Sequence, residues 1–429
     1  MIRKWIPFLI CAVLGAAPIQ ALAQTNHNKP LFAVFDAVLK NSPSLRSGVA
    51  AVDVAKAGTV QAGLRPNPSA SFEVENFSGD GPFSGVNSAE MTLGFTQEIE
   101  IAGKRRLRRE VSGYNVSIAH QNAVASALSL LAEAYQTYAA YIIAEERLAL
   151  AEKRRTLADK MHDAVKKRVK AAVASDIQHT QADIEQQTAG IQKARAERDL
   201  RNAVLRLERL TATDMTQFAA GREFLKALPT LPTEDMFLSS IADLPQIHLL
   251  KFKELQAQRM SELAKSNAVP NPTIGLGVRR LNDADRSAFL ASISFPLPVF
   301  DRNQGKRQEA HALREQAEFD KRAGELLWTE TAKNVYTGLE VAVQNVLSYR
   351  DKIIPSAQKA YDQATQGYEA GRFSFLQMLT AQRTLYEAQD DYLSNLLSLH
   401  ESKAQADFLM GVHRDIVEKT VSLHEGESQ

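Results

Sequence analysis

The sequence predicts a mixed alpha/beta chain built from a duplicated unit, with four strands and two long helical hairpins in all. Three observations carry this reading. One pattern occurs twice: Asn-Pro, an alternating strand, a polar loop, a second alternating strand, then Gly-Lys-Arg opening a long polar-rich run. The copies run from Asn67 to Arg105 and from Asn271 to Arg307, about 200 residues apart. Within each copy the hydrophobic period changes from 3.6 to 2 and back. After each copy, strong helix formers dominate for tens of residues. A repeat this wide reflects duplication of an architectural unit, since solenoid periods are far shorter.

The 429 residues suffice for two or three ordinary domains. The chain is 24% charged, yet its formal net charge is only +1, and no basic tract recommends nucleic acid as a partner. Residues 1–23 read as a secretory signal: Arg3 and Lys4, an apolar run from Trp5 to Ala17, then Ala21-Leu22-Ala23 before Gln24. Pro7 and Pro18 interrupt a run already short for an uncleaved anchor. Without this segment the charge is about −1. The only cysteine, Cys11, lies inside it, and Ile10 stands where lipid attachment needs a small residue. The mature chain is therefore expected to have no disulfide, thiolate metal site or thiol nucleophile. No later apolar run reaches the ~18 residues of a spanning helix, so any membrane role falls to strands.

Residues 24–66 form an N-terminal segment, helical from Leu31 to Leu64 and interrupted near Pro43; Arg65-Pro66-Asn67-Pro68 stops it. Residues 67–102 form the first strand pair. Ala70, Phe72 and Val74 share one face, opposite Ser71, Glu73 and Glu75; Met91, Leu93 and Phe95 alternate with Thr92, Gly94 and Thr96. Such strands fit a sheet covering a soluble core, and equally a membrane barrel with apolar side chains toward lipid. Strand pattern alone does not choose. Residues 103–210 form the first long hairpin. Its outgoing helix, Arg105 to about Lys170, has no proline and would be about 98 Å long. Ala123, Ala127, Leu131, Ala134 and Tyr138 make a narrow seam suited to close side-by-side packing. Ala171 to Ser175 form the turn, and Ser175 caps the return helix from Asp176 to about Leu210.

Residues 211–245 are an irregular connection with room for a short helix, and 246–270 resume helix. Residues 271–300 form the second strand pair. Ile274, Leu276 and Val278 alternate with Gly275, Gly277 and Arg279; Phe289, Ala291, Ile293 and Phe295 alternate with Leu290, Ser292 and Ser294. Pro296-Leu297-Pro298 forces an extended exit. Residues 301–411 form the second long hairpin, outgoing from about Gln304 to Tyr368. Pro355 should bend that helix unless a local irregularity absorbs the missing donor. Gly371 marks the tip, Ser374 is the cap, and Phe375 to about Leu409 returns. Residues 412–429 are expected as a polar tail, mobile or draped over the surface.

Four strands cannot close a membrane barrel, whose smallest examples have about eight, and open edges are forbidden in hydrocarbon. Several chains contributing four strands each would remove the contradiction. Three would give twelve strands and twelve helices, although the sequence supplies the unit and not the number.

The duplicated plan resembles the outer-membrane efflux family, the TolC-like channels, over residues 30 to 410. The echoes are Phe295-Pro-Leu-Pro298 before Phe300-Asp-Arg-Asn-Gln-Gly-Lys-Arg307, and Gln97-Glu-Ile-Glu100 before Gly103-Lys-Arg105. Tyr368-Glu-Ala-Gly371 with Ser374, Leu376, Leu379 and Ala381-Gln382 resembles the family's second helical tip. The Gln-Glu-Ile-Glu and Gly-Lys-Arg pattern most resembles its heavy-metal, cobalt-zinc-cadmium branch. This resemblance implies a homotrimer: a twelve-stranded β-barrel in outer-membrane lipid, continuous with a twelve-helix periplasmic α-barrel. It also implies a periplasmic membrane-fusion adaptor and an inner-membrane resistance-nodulation-division pump as partners. The chain would be a passive exit duct for divalent heavy-metal cations. An outer-membrane channel for organic drugs is the alternative. A periplasmic coiled-coil adaptor fits less well, since two equivalent hairpins and two distant strand pairs argue against it.

By the same resemblance the helix tips, Val169 to Gln178 and Tyr368 to Thr380, form the periplasmic aperture and meet the adaptor. The residues concerned are Asp176, Gln178, Tyr368, Glu369, Gly371, Gln377 and Thr380. Tyr368 matches an aromatic gate position. The family's acidic selectivity positions fall on Gln178, Gln377 and Thr380, so an acidic ring there is not expected, and Asp176 and Glu369 are the nearby carboxylates. The barrel-to-helix junction comprises Gly103, Lys104, Arg105, Pro296, Pro298, Gly305, Lys306 and Arg307, which turn strand into helix near the membrane interface.

The repeated Gly-Lys-Arg lacks the glycine-rich approach and the Ser/Thr of a phosphate loop. No Ser-His-Asp pattern or paired carboxylates sit on a pocket scaffold, so no enzyme chemistry is expected. His162, His179, His248, His311 and His400 form no compact ligand motif. His162 and His179 fall near one another across the first hairpin but read as surface or packing residues. No structural metal and no cofactor are expected.

Overall fold

A computed structural model describes residues 29–214 and 221–427 of the chain. The expected signal at 1–23, with Cys11, lies outside the described residues. In the first half, α1 (Lys29–Asn41) and α2 (Pro43–Ala62) precede β1 (Ser69–Glu75), β2 (Glu90–Glu98), α3 (Lys104–Lys170) and α4 (Asp176–Thr211). The second half repeats this with α6 (Pro245–Asn267), β3 (Thr273–Leu281), β4 (Arg286–Ser294), α7 (Gln304–Ser348), α8 (Ile354–Glu369) and α9 (Phe375–Leu409). Pro43 and Pro245 each open a helix, where a missing N–H costs nothing. Ser42 caps α2 by accepting from the Leu45 amide.

The four strands form one antiparallel sheet in the order β1-β2-β3-β4. Register puts Phe72, Leu93, Val278 and Phe289 in one row across it, and Ala70, Phe95, Leu276 and Ala291 in another. This entire apolar face is uncovered: Phe289 is 90% exposed, and Phe72 and Leu276 about two-thirds. A sheet serving a soluble core would bury that face. The opposite face is small and polar, with Ser71, Gly94 and Gly277 in one row and Glu73, Thr92 and Arg279 in the next. Arg279 holds Glu90 at 2.7 Å and Glu75 at 3.0 Å there.

Below the sheet the helices continue its order. Near the strands α3 lies between α2 and α6; farther along it lies between α4 and α9, and α7 with α8 completes the far side. Thr59 of α2 bonds Ser112 of α3, Arg209 of α4 pairs with Glu133, and Arg154 of α3 reaches Asp390 of α9. The molecule is thus a wall of four columns, each a strand standing on helices. With 67 residues α3 alone spans about 100 Å. Its seam, Ala123, Ala127, Leu131, Ala134 and Tyr138, is buried throughout, as the narrow small-residue stripe predicts.

Pro355 does not break the outgoing helix of the second hairpin. A π-turn at Tyr349–Ile353 precedes it, and α8 continues from Ile354. The wider turn accommodates the proline ring, which in a regular helix would meet the carbonyl four residues back.

The buried core forms a belt at mid-height, where α1 and the connection after α4 wrap α3 and α9 around Tyr138, Phe224, Phe237 and His400. That connection contains α5 (Glu234–Ser239) and single 3₁₀ turns. The C-terminal segment departs from expectation. Instead of a mobile or draped tail, Arg414–Glu427 forms α10, which packs on α2 and α3 and buries Val417 and Val421 completely. Those two valines stand one helical turn apart on the packed face, while Ile416 and Leu423 stay exposed.

Candidate functional site

The strand-to-helix junctions set how the sheet sits on the helical wall. In the first, Ala102 and Gly103 both take left-handed backbone, and Gly103 is the residue on which α3 starts. Glycine has no Cβ penalty there. Lys104 is 6% exposed, and its ammonium bonds the Val269 carbonyl and Asn271 Oδ1. Asn271 in turn donates to Glu98 at 2.6 Å. Lys104 therefore ties the first unit to the Asn-Pro that opens the second. Burial lowers its pKa, partly opposed by Glu98 and Glu100. Arg108 grips Glu100 with both terminal nitrogens, and this hydrogen bonding holds the Glu100 carboxyl below its ordinary range. Arg105, beside Lys104, stays half-buried.

The second junction is built differently. Asn303, not Gly305, takes the left-handed conformation and starts α7, with its side chain donating to the Ala264 carbonyl at 2.7 Å. Asparagine tolerates this backbone because its short amide bonds locally. Gly305, Lys306 and Arg307 lie inside the first turns of α7, where Lys306 pairs only with Glu309 and all three face solvent. The two Gly-Lys-Arg copies match in sequence but not in structural position. Pro296 and Pro298 hold the exit from β4 extended, exposing Phe295, Leu297 and Phe300 next to the sheet's apolar face.

The two tips share one construction. Ala172 and Gly371 are left-handed at the ends of α3 and α8; Val173 N then bonds Arg168 O, and Arg372 N bonds Gly367 O. Ser175 and Ser374 cap the returning helices. Gln377 completes a capping box by accepting from the Ser374 amide at 2.8 Å, and the Thr380 hydroxyl donates to the Leu376 carbonyl. Two of the three neutral residues expected at the aperture are thus engaged with their own helix. Gln178 is half-buried, while Asp176 and Glu369 are exposed.

Tyr368 packs between the hairpins. Its ring meets Phe375 at 5.5 Å and lies under the Arg168 guanidinium at 5.0 Å. Val165 and Ala182 from the first hairpin close around Phe375, Met378 and Leu379 from the second. Higher up, Arg154 donates to Asp390 and to the Tyr386 carbonyl, both at 2.7 Å, and stacks 4.4 Å over the Tyr386 ring. Arg154 and Arg168 escaped the sequence reading. Each is one arginine in a helix already rich in basic residues, and its partners lie 200 or more positions away in sequence. No local signal marks them.

Among the described residues no group of three or more His, Cys, Asp or Glu is placed to hold a metal. Among them, too, no helix is long and apolar enough to cross a membrane. The wall's likeness to known proteins is extensive. The cobalt-zinc-cadmium resistance protein CzcC of Cupriavidus metallidurans is 27% identical over 425 residues, 96% of this chain and 100% of that protein. The nickel-cobalt-cadmium resistance protein NccC of Alcaligenes xylosoxydans xylosoxydans is 24% identical over 267 residues, 62% of this chain and 60% of its own length. Among solved structures, the outer-membrane channel OprN superposes with a TM-score of 0.75 at 17% identity, over 89% of this chain and 90% of that one. The model of the family described as outer membrane efflux protein matches residues 34–213 and 238–412, and the chain belongs to that family.

Proposed function

We propose that three copies of this chain close into a passive duct through the outer membrane and periplasm, and that its cargo is divalent heavy-metal cations. One observation carries the duct reading: a four-stranded sheet with its apolar face bare and both edges open, standing on helices in the same order. In hydrocarbon such edges must be paired. Pairing β1 of one copy with β4 of the next satisfies them and sets twelve strands over twelve helical columns. Glu75, Glu90 and Arg279 then face the lumen, and Phe72 and Phe289 face lipid. The metal reading is supported by the CzcC likeness along the whole chain. A periplasmic adaptor and an inner-membrane resistance-nodulation-division pump complete the path. The pump supplies the energy.

Deleting the gene and measuring tolerance together with cellular metal content tests the cargo. Lower tolerance and higher accumulation of cobalt, zinc, cadmium or nickel are expected, restored by the plasmid-borne gene. Loss of organic-drug tolerance alone, with cobalt, zinc, cadmium, nickel, copper and silver tolerance unchanged, would overturn the metal assignment.

A further inference from the structure

Near the first tip, His162 of α3 and His179 of α4 face each other across the hairpin, their ring centres 5.2 Å apart and their planes inclined by 49°. The separation suits two ligands of one tetrahedral ion. With metal–nitrogen bonds of about 2.0–2.1 Å, each ring centre sits ~3.2 Å from the metal, and the tetrahedral angle then separates the two centres by ~5.2 Å.

The surroundings fit the same chemistry. The Asp163 carboxylate lies 3.6 Å from His162 Nδ1, adding negative charge beside the pair. One turn away, Gln186 of α4 donates to Asp159 at 2.7 Å, and Arg155 bonds both Asp159 and the Gln186 carbonyl. This layer fixes the spacing of the two helices beside the rings. The Gln186 hydrogen bond, followed by Arg155, holds the Asp159 carboxyl below its ordinary range, so a negative charge persists near His162. Small residues at the seam, Ala158 and Ala182, let the helices approach.

We propose that His162 and His179 together bind one divalent transition-metal cation such as zinc or cobalt, weakly and exchangeably, about 14 Å from the turn of the first hairpin. With no third protein ligand among the described residues, water completes the coordination. Two imidazoles suit a step in a duct, because a tight site would retain its cargo. The role as a transit station rests on the metal-cargo reading above; the binding itself does not.

The test uses the full chain purified in detergent without a histidine tag. Equilibrium dialysis with zinc chloride, and visible spectra with cobalt chloride, read stoichiometry and geometry. One ion per chain and a tetrahedral cobalt band are expected. His162→Gln or His179→Gln should each weaken binding about 10-fold or more, at least the loss that removing an outer-shell partner brings. His311→Gln, remote and exposed beside Glu315, should change nothing. Absence of stoichiometric binding, or equal binding by the His162→Gln/His179→Gln double variant with unaltered helicity, overturns the site. The two readings separate cleanly. Binding lost in the double variant, where gene deletion leaves metal tolerance intact, keeps the site and removes the cargo. Metal-sensitive deletion with no binding at the pair does the reverse.

Discussion

Replacing Gly277 by valine is expected to destabilise the purified protein by about 1–3 kcal/mol, the range for forced overpacking. A Cβ at Gly277 would sit 2.9 Å from the Leu93 carbonyl oxygen and 3.4 Å from the Gly94 Cα. Both are backbone atoms of the adjacent strand, held by the ladder and unable to swing aside. The glycine is therefore required by the close approach of β2 and β3 on the polar face. Two neighbours calibrate the effect. At Gly94 an added Cβ meets only the Ser71 hydroxyl at 2.9 Å, a rotor that can turn away, so Gly94→Ala should cost much less. At Gly305, within α7, nothing lies within 4 Å, and Gly305→Ala should gain about 0.5–1 kcal/mol of helix propensity. Thermal midpoints and the fraction of heat-resistant assembled protein on gels read all three. Equal tolerance of Gly277→Val and Gly94→Ala would show that the strands are not in this register.

Acid should weaken the mid-height belt through His400. The ring is 1% exposed, stacked on Phe224 at 4.6 Å, with Nδ1 3.0 Å from the Tyr135 hydroxyl. Burial lowers its pKa from 6.5 to about 4, Lys403 adds to this, and the Leu225 backbone opposes it only partly. The folded state therefore holds the imidazole neutral, whereas the unfolded chain protonates it near its ordinary value. Protons bind the unfolded state more strongly, so stability is fully present above pH 6.5 and falls as pH drops toward 4. The shift corresponds to about 3 kcal/mol. Melting profiles of the wild type between pH 7.5 and 4.5 should show this loss, and His400→Phe should flatten the profile in that window. An unchanged slope in His400→Phe would mean another group titrates.

Much of the fold was legible because its signals are local and repeated. The change of period at Asn67 and Asn271, the unbroken helix-forming run after Lys104, and the tips at Ser175 and Ser374 depend on neighbours within a few residues, and each appears where the sequence places it. Pro355 was legible as a conditional, and the π-turn before it is the local irregularity that resolves it. The departures have a common origin. Val417 and Val421 declare a helix only once α2 and α3 offer a surface to bury them. Gly305 repeats Gly103 in sequence, yet the left-handed residue of the second junction is Asn303, set by its bond to Ala264 of α6. Arg154 and Arg168 acquire meaning from α9 and α8, brought beside α3 by the duplication as a whole. Long-range pairing of this kind leaves no mark within a short window of sequence.

Cross-linking between sheet edges tests the closed wall most directly. The only cysteine, Cys11, falls in the expected signal, so introduced thiols would act on a clean background. Single cysteines at Ser69, Ser71 or Glu73 of β1, each combined with one at Ala288, Leu290 or Ser292 of β4, sample neighbouring registers along the two open edges. A disulfide needs Cβ atoms about 3.5–4.5 Å apart, so it reports directly paired strands. If β1 of one copy pairs with β4 of the next in outer membranes, at least one combination yields a covalent ladder that ends at three chains. No cross-link in any combination, or a ladder ending at another number, would contradict the twelve-stranded duct.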